Sequence, residues 1–529
     1  MYSNRLALPF LVSLLFAYCA CTAQKASRPK GEIIYHVFQR SFYDSNGDLH
    51  GDLNGLRSKL DYLQDLGVTS ILTLPVYASL FYHNYFATDF DKIDPRFGNM
   101  NEFVTLVKEV HRRGMKIYLD METQYVTEDQ LWWKDAFGNT SSKYSDYILW
   151  DDSANKKPSS IIFGITELKG YDGTARKITT ANLYSKGLQE YNYQLFKKYI
   201  DPNNDGKFDD GVDGFRFDHM MDDLDYKGRL TNLFNKFWVP LITRLKQVNP
   251  AISFVAEQAN WGSFGFEYFD KGGVDRVFGF RLQLAIASFD KNRLAAMADT
   301  TLGMLPAGKE QVVFIENHDM QRFASTVNKN VAKEKVGAAL NLLLGGIPSI
   351  YYGQELGMFG AGGFNKFGQT DANDIPQREA FEWYKADTGK GMALWYKNTG
   401  PWWDSTNLKP NDGISLEEEK GDPNSLWSFY KALIKVRQSH SELFNGRYQT
   451  LQNNNDKVFS FLRYDGKNAA VIVVNLSNIV QQAVVNIASN NITPGGNIQT
   501  LFGKEKVVNN NNSLSVNLPA YGIGVWKVE

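Results

Sequence analysis

An α/β fold, a (β/α)8 TIM barrel with an inserted subdomain and a C-terminal all-β domain, is predicted by three observations. Eight short β-rich apolar runs alternate with longer helix-like stretches, the pattern of parallel strands joined by helices. A stretch rich in Trp, Tyr, Ser, Thr and Lys separates the third run from the fourth and is too long for a single loop. From about Glu442 the texture changes to short alternating strands with Asn and Gly turns, as in "AAVIVVNLS".

Taken in order, the chain opens with "MYSNRLALPFLVSLLFAYCACTAQ", one basic residue, an apolar run and small residues. The run is too short to cross a bilayer and reads as an export signal over residues 1–23. Both cysteines, Cys19 and Cys21, fall in or beside it, which leaves the mature domain no internal disulfide. Ala20-Cys21 resembles the end of a lipoprotein signal, making Cys21 a candidate lipid anchor; cleavage after Ala23 is the rival. The expected location is the cell envelope, the periplasm or the medium.

The eight predicted barrel strands are Ile33–Phe38, Thr69–Leu74, Lys116–Asp120, Val212–Phe217, Ile252–Glu257, Val274–Gly279, Gln311–Glu316 and Ile347–Tyr351. They assign the barrel to residues 28–121 and 186–440, the inserted subdomain to 122–185 and a β-sandwich to 441–529. No other stretch is apolar enough to span a membrane. With 57 basic against 58 acidic residues there is no electrostatic case for nucleic acid or an anionic membrane surface. An aromatic content of 14% is high; such rings usually belong to the core, and they are also what a sugar-binding cleft stacks on pyranose faces.

In such a barrel the functional groups sit at the C-terminal ends of the strands. "GVDGFRFDH" places Arg216 and Asp218 two apart, on one side of the fourth strand. Glu257 closes the fifth strand in "FVAEQANW", and His318 and Asp319 follow the seventh in "FIENHD". Three carboxyl groups, an arginine and a histidine thus converge on one rim. Arg216 is expected to hold the Asp218 carboxyl below its usual range, as a nucleophile requires. Glu257, near Ala256 and Trp261, is expected to keep its proton longer and to act as an acid. Two carboxyls in those roles, about 5–5.5 Å apart, are what glycoside hydrolysis with retention needs. Asp319 would grip sugar hydroxyls as the ring flattens.

"IIYHVFQRSF", "GDLNGL", "YFATDFDKIDPRFGN", "DGFRFDH", "FVAE", "ENHD" and "GIPSIYYGQELGM", in this order, resemble the motifs of the α-amylase superfamily of glycoside hydrolases over residues 31–529. The resemblance implies Asp218 as nucleophile, Glu257 as general acid/base and Asp319 as transition-state stabiliser. It also implies that Arg216, His318 and Tyr85 line the subsite on the non-reducing side, with Tyr85 stacking on the sugar. The chain departs from the pattern in places. "DMETQY" keeps Asp120 but has Gln124 and Tyr125 where Asn and His are usual, so Tyr125 would offer a hydroxyl to the sugar and one family calcium site lacks its usual Asn ligand. "HMMDD" lacks a Lys-His pair on the leaving side. Tyr82 replaces an Asp that closes the pocket of exo-acting relatives, which favours an open cleft.

Two loops have the spacing of hard oxygen ligands for Ca2+. "DSNGDLHGD" offers Asp44, Asn46, Asp48, the His50 carbonyl and Asp52; "DPNNDGKFDDGVDG" offers Asp201, Asn203 and Asp205, completed by Asp209 or Asp210. One or two structural calcium ions are expected, against metal-free Asx turns. The pairs Trp132, Trp133 and Trp402, Trp403 read equally as sugar platforms or packing. The expected activity is hydrolysis of α-1,4-glucosidic bonds in starch or maltooligosaccharides. The rivals are a glucanotransferase or isomerising enzyme using the same intermediate, and a non-catalytic glucan-binding protein.

Overall fold

The computed structural model describes residues 31–404, 408–466, 468–488 and 497–528; the export signal and Cys21 lie outside them. Eight parallel strands close into a barrel: Ile34–Val37, Ser70–Thr73, Lys116–Met121, Gly214–Met220, Ser253–Gln258, Arg276–Phe278, Glu310–Val313 and Ile347–Tyr351. They follow one another around the barrel in chain order, the eighth pairing with the first. All eight predicted runs are barrel strands.

The interior is filled, not hollow. Ile34, Leu72, Tyr118, Val255, Phe278, Val312 and Ile347, from seven of the strands, form one buried cluster, the layered filling such a barrel needs. Below it Arg276 reaches Glu32 at 2.7 Å, and the Tyr118 hydroxyl donates to Glu32 at 2.8 Å. The outer helices bury one stripe each. In Met100–Arg112 the apolar residues Phe103, Leu106, Val107 and Val110 fall at helical spacing and are all buried. Each contributes about 1.5–3 kcal/mol on burial. Asn99 starts this helix by accepting from the amides of Asn101 and Glu102, while the Glu102 side chain accepts from the Asn99 amide.

Between the third and fourth barrel strands, Tyr125–Thr127, Glu167–Lys169 and Ala175–Thr180 form part of a second sheet. That sheet also recruits Tyr77–Ser79 and Ala87–Ile93 from the excursion after the second strand, through the pair Ala87↔Val126. The wall over the barrel mouth is thus built from two excursions, where the sequence pointed to one. Trp132, Trp133 and Trp402 are buried, which settles them as packing. At the C-terminus a five-stranded antiparallel sheet, centred on Asn468–Asn475, faces a three-stranded one, Gln481–Asn486, Ser513–Leu518 and Val507–Asn509. Val471, Val473, Val485, Leu514 and Trp526 pack together there. No helix among the described residues is long and apolar enough to cross a membrane.

Candidate active site

Strand register builds the site. The third and fourth barrel strands pair with Asp120 beside Arg216, and Arg216 Nη1 lies 2.7 Å from Asp120 Oδ2. The two-residue spacing brings the same Nη1 to within 2.5 Å of Asp218 Oδ1. Between Phe217 and Met220 the fourth strand carries one residue more than the fifth, and His219 takes φ 48°. Such a bulge turns the chain and re-aims its side chains. Here it points the His219 amide at Glu257 Oε2, 3.2 Å away. Arg216 Nη2 holds the same oxygen at 2.9 Å. One buried guanidinium therefore gathers carboxylates from three adjacent strands.

The third acid of the predicted trio arrives from across the barrel. Asp319 Oδ1 lies 3.1 Å from Arg378 Nη2, and its Oδ2 lies 3.0 Å from His318 Nε2. The His318 ring stacks on Tyr85 at 5.5 Å and 9°. The Tyr85 hydroxyl donates to Asp120 at 2.8 Å and accepts from Arg216 at 3.2 Å. Asp218, Asp319, Tyr85, Tyr125 and Trp261 line a cleft of about 940 Å³. Trp261 lies with one face on Phe280, 4.7 Å away. All eight residues proposed for catalysis and sugar binding are thus in or directly behind one cleft.

The electrostatics depart from expectation at Asp218. Burial is the largest influence and raises its carboxyl; Arg216 opposes this, and Asp120 and Asp319 add repulsion. The net direction is upward, not the downward one expected from the arginine alone, because a guanidinium shared among three carboxylates cannot offset burial at each. Glu257 is raised by burial, against Arg216 and with help from Asp218. Burial and Glu257 lift Asp319 to about 7 while Arg378 pulls it down; burial also lifts Asp120 to about 7. His318 is pushed well down by burial and by His36, so it is neutral. Four buried carboxyls with raised pKa values on one cleft, two of them at about 7, mark it as the candidate functional site.

Tyr125 lines the cleft, but its hydroxyl donates to Asp225, so the expected bond to a sugar hydroxyl is already committed elsewhere. Gln124 is a brace. Its amide donates to the Asp218 carbonyl at 2.7 Å, while its oxygen accepts from the Thr123 amide at 2.8 Å. Tyr82 is fully buried, stacked on Trp395 at 4.7 Å, and its hydroxyl accepts from Arg378 at 2.8 Å. It acts behind the wall of the cleft and not as a gap in it. Arg378 and Asp374, both on the cleft, went unread in the sequence because "DIPQREAF" follows the last strand by some distance and carries no strand-end signal.

The two Asx-rich loops supply hard oxygens, the donor type calcium prefers. In the first, Asp44 accepts from the amides of Asn46, Gly47 and Leu49, Asp48 from His50, and Asp52 from Ser45 and Gly55. In the second, Asp201 accepts from Asp205 and Gly206, and Asn203 from Asp205. Asp210 is 2% exposed and leaves its Oδ1 without a hydrogen-bond partner. Among the described residues no three His, Cys, Asp or Glu side chains converge in the manner of a metal cage.

A model of the α-amylase catalytic domain matches residues 36–229 and 249–446. The chain belongs to the α-amylase family. A model of the maltogenic amylase C-terminal domain matches residues 448–525, the region of the two terminal sheets. Alpha-amylase 3 of Dictyoglomus thermophilum is 29% identical over 460 residues, 85% of each chain. A 4-alpha-glucanotransferase of Thermotoga maritima is 27% identical over 84% of this chain and 95% of its own. The alpha-amylase of H. orenii superposes with a TM-score of 0.78 at 27% identity, over 95% of this chain and all of that one. This α-amylase family member is an enzyme, a glycosidase by family.

Proposed function

We propose that the chain is a retaining glycosidase that cleaves α-1,4-glucosidic bonds in starch or maltooligosaccharides through a glucosyl ester on Asp218. The observation that carries this reading is Arg216, whose two terminal nitrogens bind Asp218 and Glu257 at 2.5 and 2.9 Å. Two carboxyls on one guanidinium are near enough to flank one glycosidic bond. Glu257, whose burial favours the protonated form, gives its proton to the glycosidic oxygen as Asp218 Oδ attacks the anomeric carbon. The carbon–oxygen bond breaks and the leaving sugar departs as an alcohol. Water then attacks the same carbon from the opened side, Glu257 takes its proton back, and the ester to Asp218 breaks. Asp319 accepts from the ring hydroxyls as the sugar flattens, the moment at which such bonds lower the barrier.

A transfer reading has one specific support, the likeness to a protein named 4-alpha-glucanotransferase. In that case a sugar hydroxyl replaces water in the second step. Product analysis on maltoheptaose separates the two: hydrolysis gives only shorter sugars, and transfer gives longer ones as well. A reducing-sugar assay on starch with no release above blank would refute both and leave a binding protein.

Export and calcium belong to the same proposal. The N-terminal run supports export, and alternate Asp and Asn oxygens in both loops support calcium. Fractionation and mass analysis of the mature N-terminus check the first. Loss of thermal stability in a chelator, restored by Ca2+ but not by Na+, checks the second.

A further inference from the structure

Two phenylalanine rings stand almost bare on the cleft. Phe163 is 84% exposed and Phe364 is 87% exposed, and both line the space that holds Asp218 and Asp319. An apolar ring left in water forgoes the stabilisation it would gain on burial, so two in one cleft mark a surface awaiting an apolar partner. Neither is a loose end. Phe163 sits at φ 60° and ψ 15°, a left-handed conformation that a side chain other than glycine adopts only at a cost. The turn around it is closed by the bond from the Ile161 amide to the Ile165 carbonyl at 2.8 Å and from the Gly164 amide to the Ile161 carbonyl at 3.1 Å.

Phe364 rides on the excursion after the eighth barrel strand. There the Asn373 side chain accepts from the Phe367 amide at 2.7 Å and donates to the Gly368 and Thr370 carbonyls at 2.9 and 2.8 Å. The two excursions touch, because Lys169, at the end of the strand that follows Phe163, bridges to Thr370. The rings are thus presented by braced, mutually supported loops on the same cleft as the acids. Pyranose rings have an apolar C–H face that stacks on aromatic side chains, and a glucan offers such a face at every unit.

We propose that Phe163 and Phe364 form a stacking site for glucosyl units of the chain beyond those at the scissile bond, so that the enzyme reads chain length. This rests on the glucan-cleaving reading above. The occupant is the substrate's own extension, since the rings are continuous with the space that holds the acids.

The test compares Phe163→Ala and Phe364→Ala with the unaltered full chain on maltoheptaose and maltotriose. The ratio of kcat/KM for the longer sugar to that for the shorter should fall roughly five- to tenfold in each variant. Met304→Ala, an exposed residue away from the cleft, should leave the ratio unchanged. Calorimetric titration of maltoheptaose into the same variants on an Asp218→Asn background should show weakened binding, a readout independent of turnover. An active parent enzyme whose ratio and titration are unmoved by both phenylalanine substitutions overturns the chain-length site alone. A parent that neither cleaves nor binds either sugar overturns the glucan-cleaving reading, and the site with it.

Discussion

The backbone amide of His219 donates to Glu257 Oε2 at 3.2 Å, so the residue next to Asp218 also holds the Glu257 carboxyl. The bond exists because His219 occupies the extra position of the bulge at φ 48°. The bulge thereby couples Asp218 and Glu257 through the main chain as well as through Arg216.

It follows that His219→Val should harm the enzyme more than His219→Asn. A β-branched residue tolerates the left-handed region poorly, at a cost of about 1–3 kcal/mol, whereas Asn enters it readily. Expected outcomes are a kcat at least about tenfold lower for Val and a lower Tm, with Asn nearer the parent in both. Equal kcat and Tm in the two variants would detach the bulge from catalysis.

Arg378 draws the Asp319 carboxyl down towards ionisation, against burial and Glu257. Arg378→Ala removes that pull, so the Asp319 pKa rises from about 7. If Asp319 works as a carboxylate, the acid limb of the kcat/KM profile moves to higher pH, by about one unit. A purely structural role for Arg378 would lower activity evenly across pH and leave the limb in place.

Stability should fall as the pH is raised from about 4.5 to about 8. Burial lifts Glu316 and Glu334 to about 7 and Glu419 to about 8. A carboxyl raised in the folded state binds its proton more tightly than in the unfolded chain. Its contribution is full below about pH 4.5, the unfolded value, and is lost as pH rises through 7 to 8. Glu334→Gln removes one such group, which is only 6% exposed. Its Tm should match the parent at pH 4.5 and exceed it at pH 8, the gain being about 2 kcal/mol in stability. A constant difference across that range would refute the linkage.

The barrel was legible because each strand is a short apolar run bounded by turn residues, and burial on both faces leaves little room for another pattern. That Asp218, Glu257 and Asp319 would meet around one cleft was legible because each closely follows an apolar run that stops in polar or charged residues. What escaped depends on distance in the chain. Nothing local marks Arg378 as the partner of Asp319, and nothing in "DMETQY" shows Tyr125 giving its hydroxyl to Asp225. The direction at Asp218 was missed for a related reason. A neighbouring arginine is visible in sequence, but its division among Asp120, Asp218 and Glu257 is not.

The central claim is that Asp218 forms a covalent bond to the sugar. Incubation with a fluorinated glucosyl fluoride that slows release of the ester, followed by digestion and mass spectrometry, tests it directly. One added fluoroglucosyl mass on the peptide containing Asp218, at that side chain, is the predicted result. A label on Glu257, or an unlabelled enzyme that still turns over glucan, would contradict it.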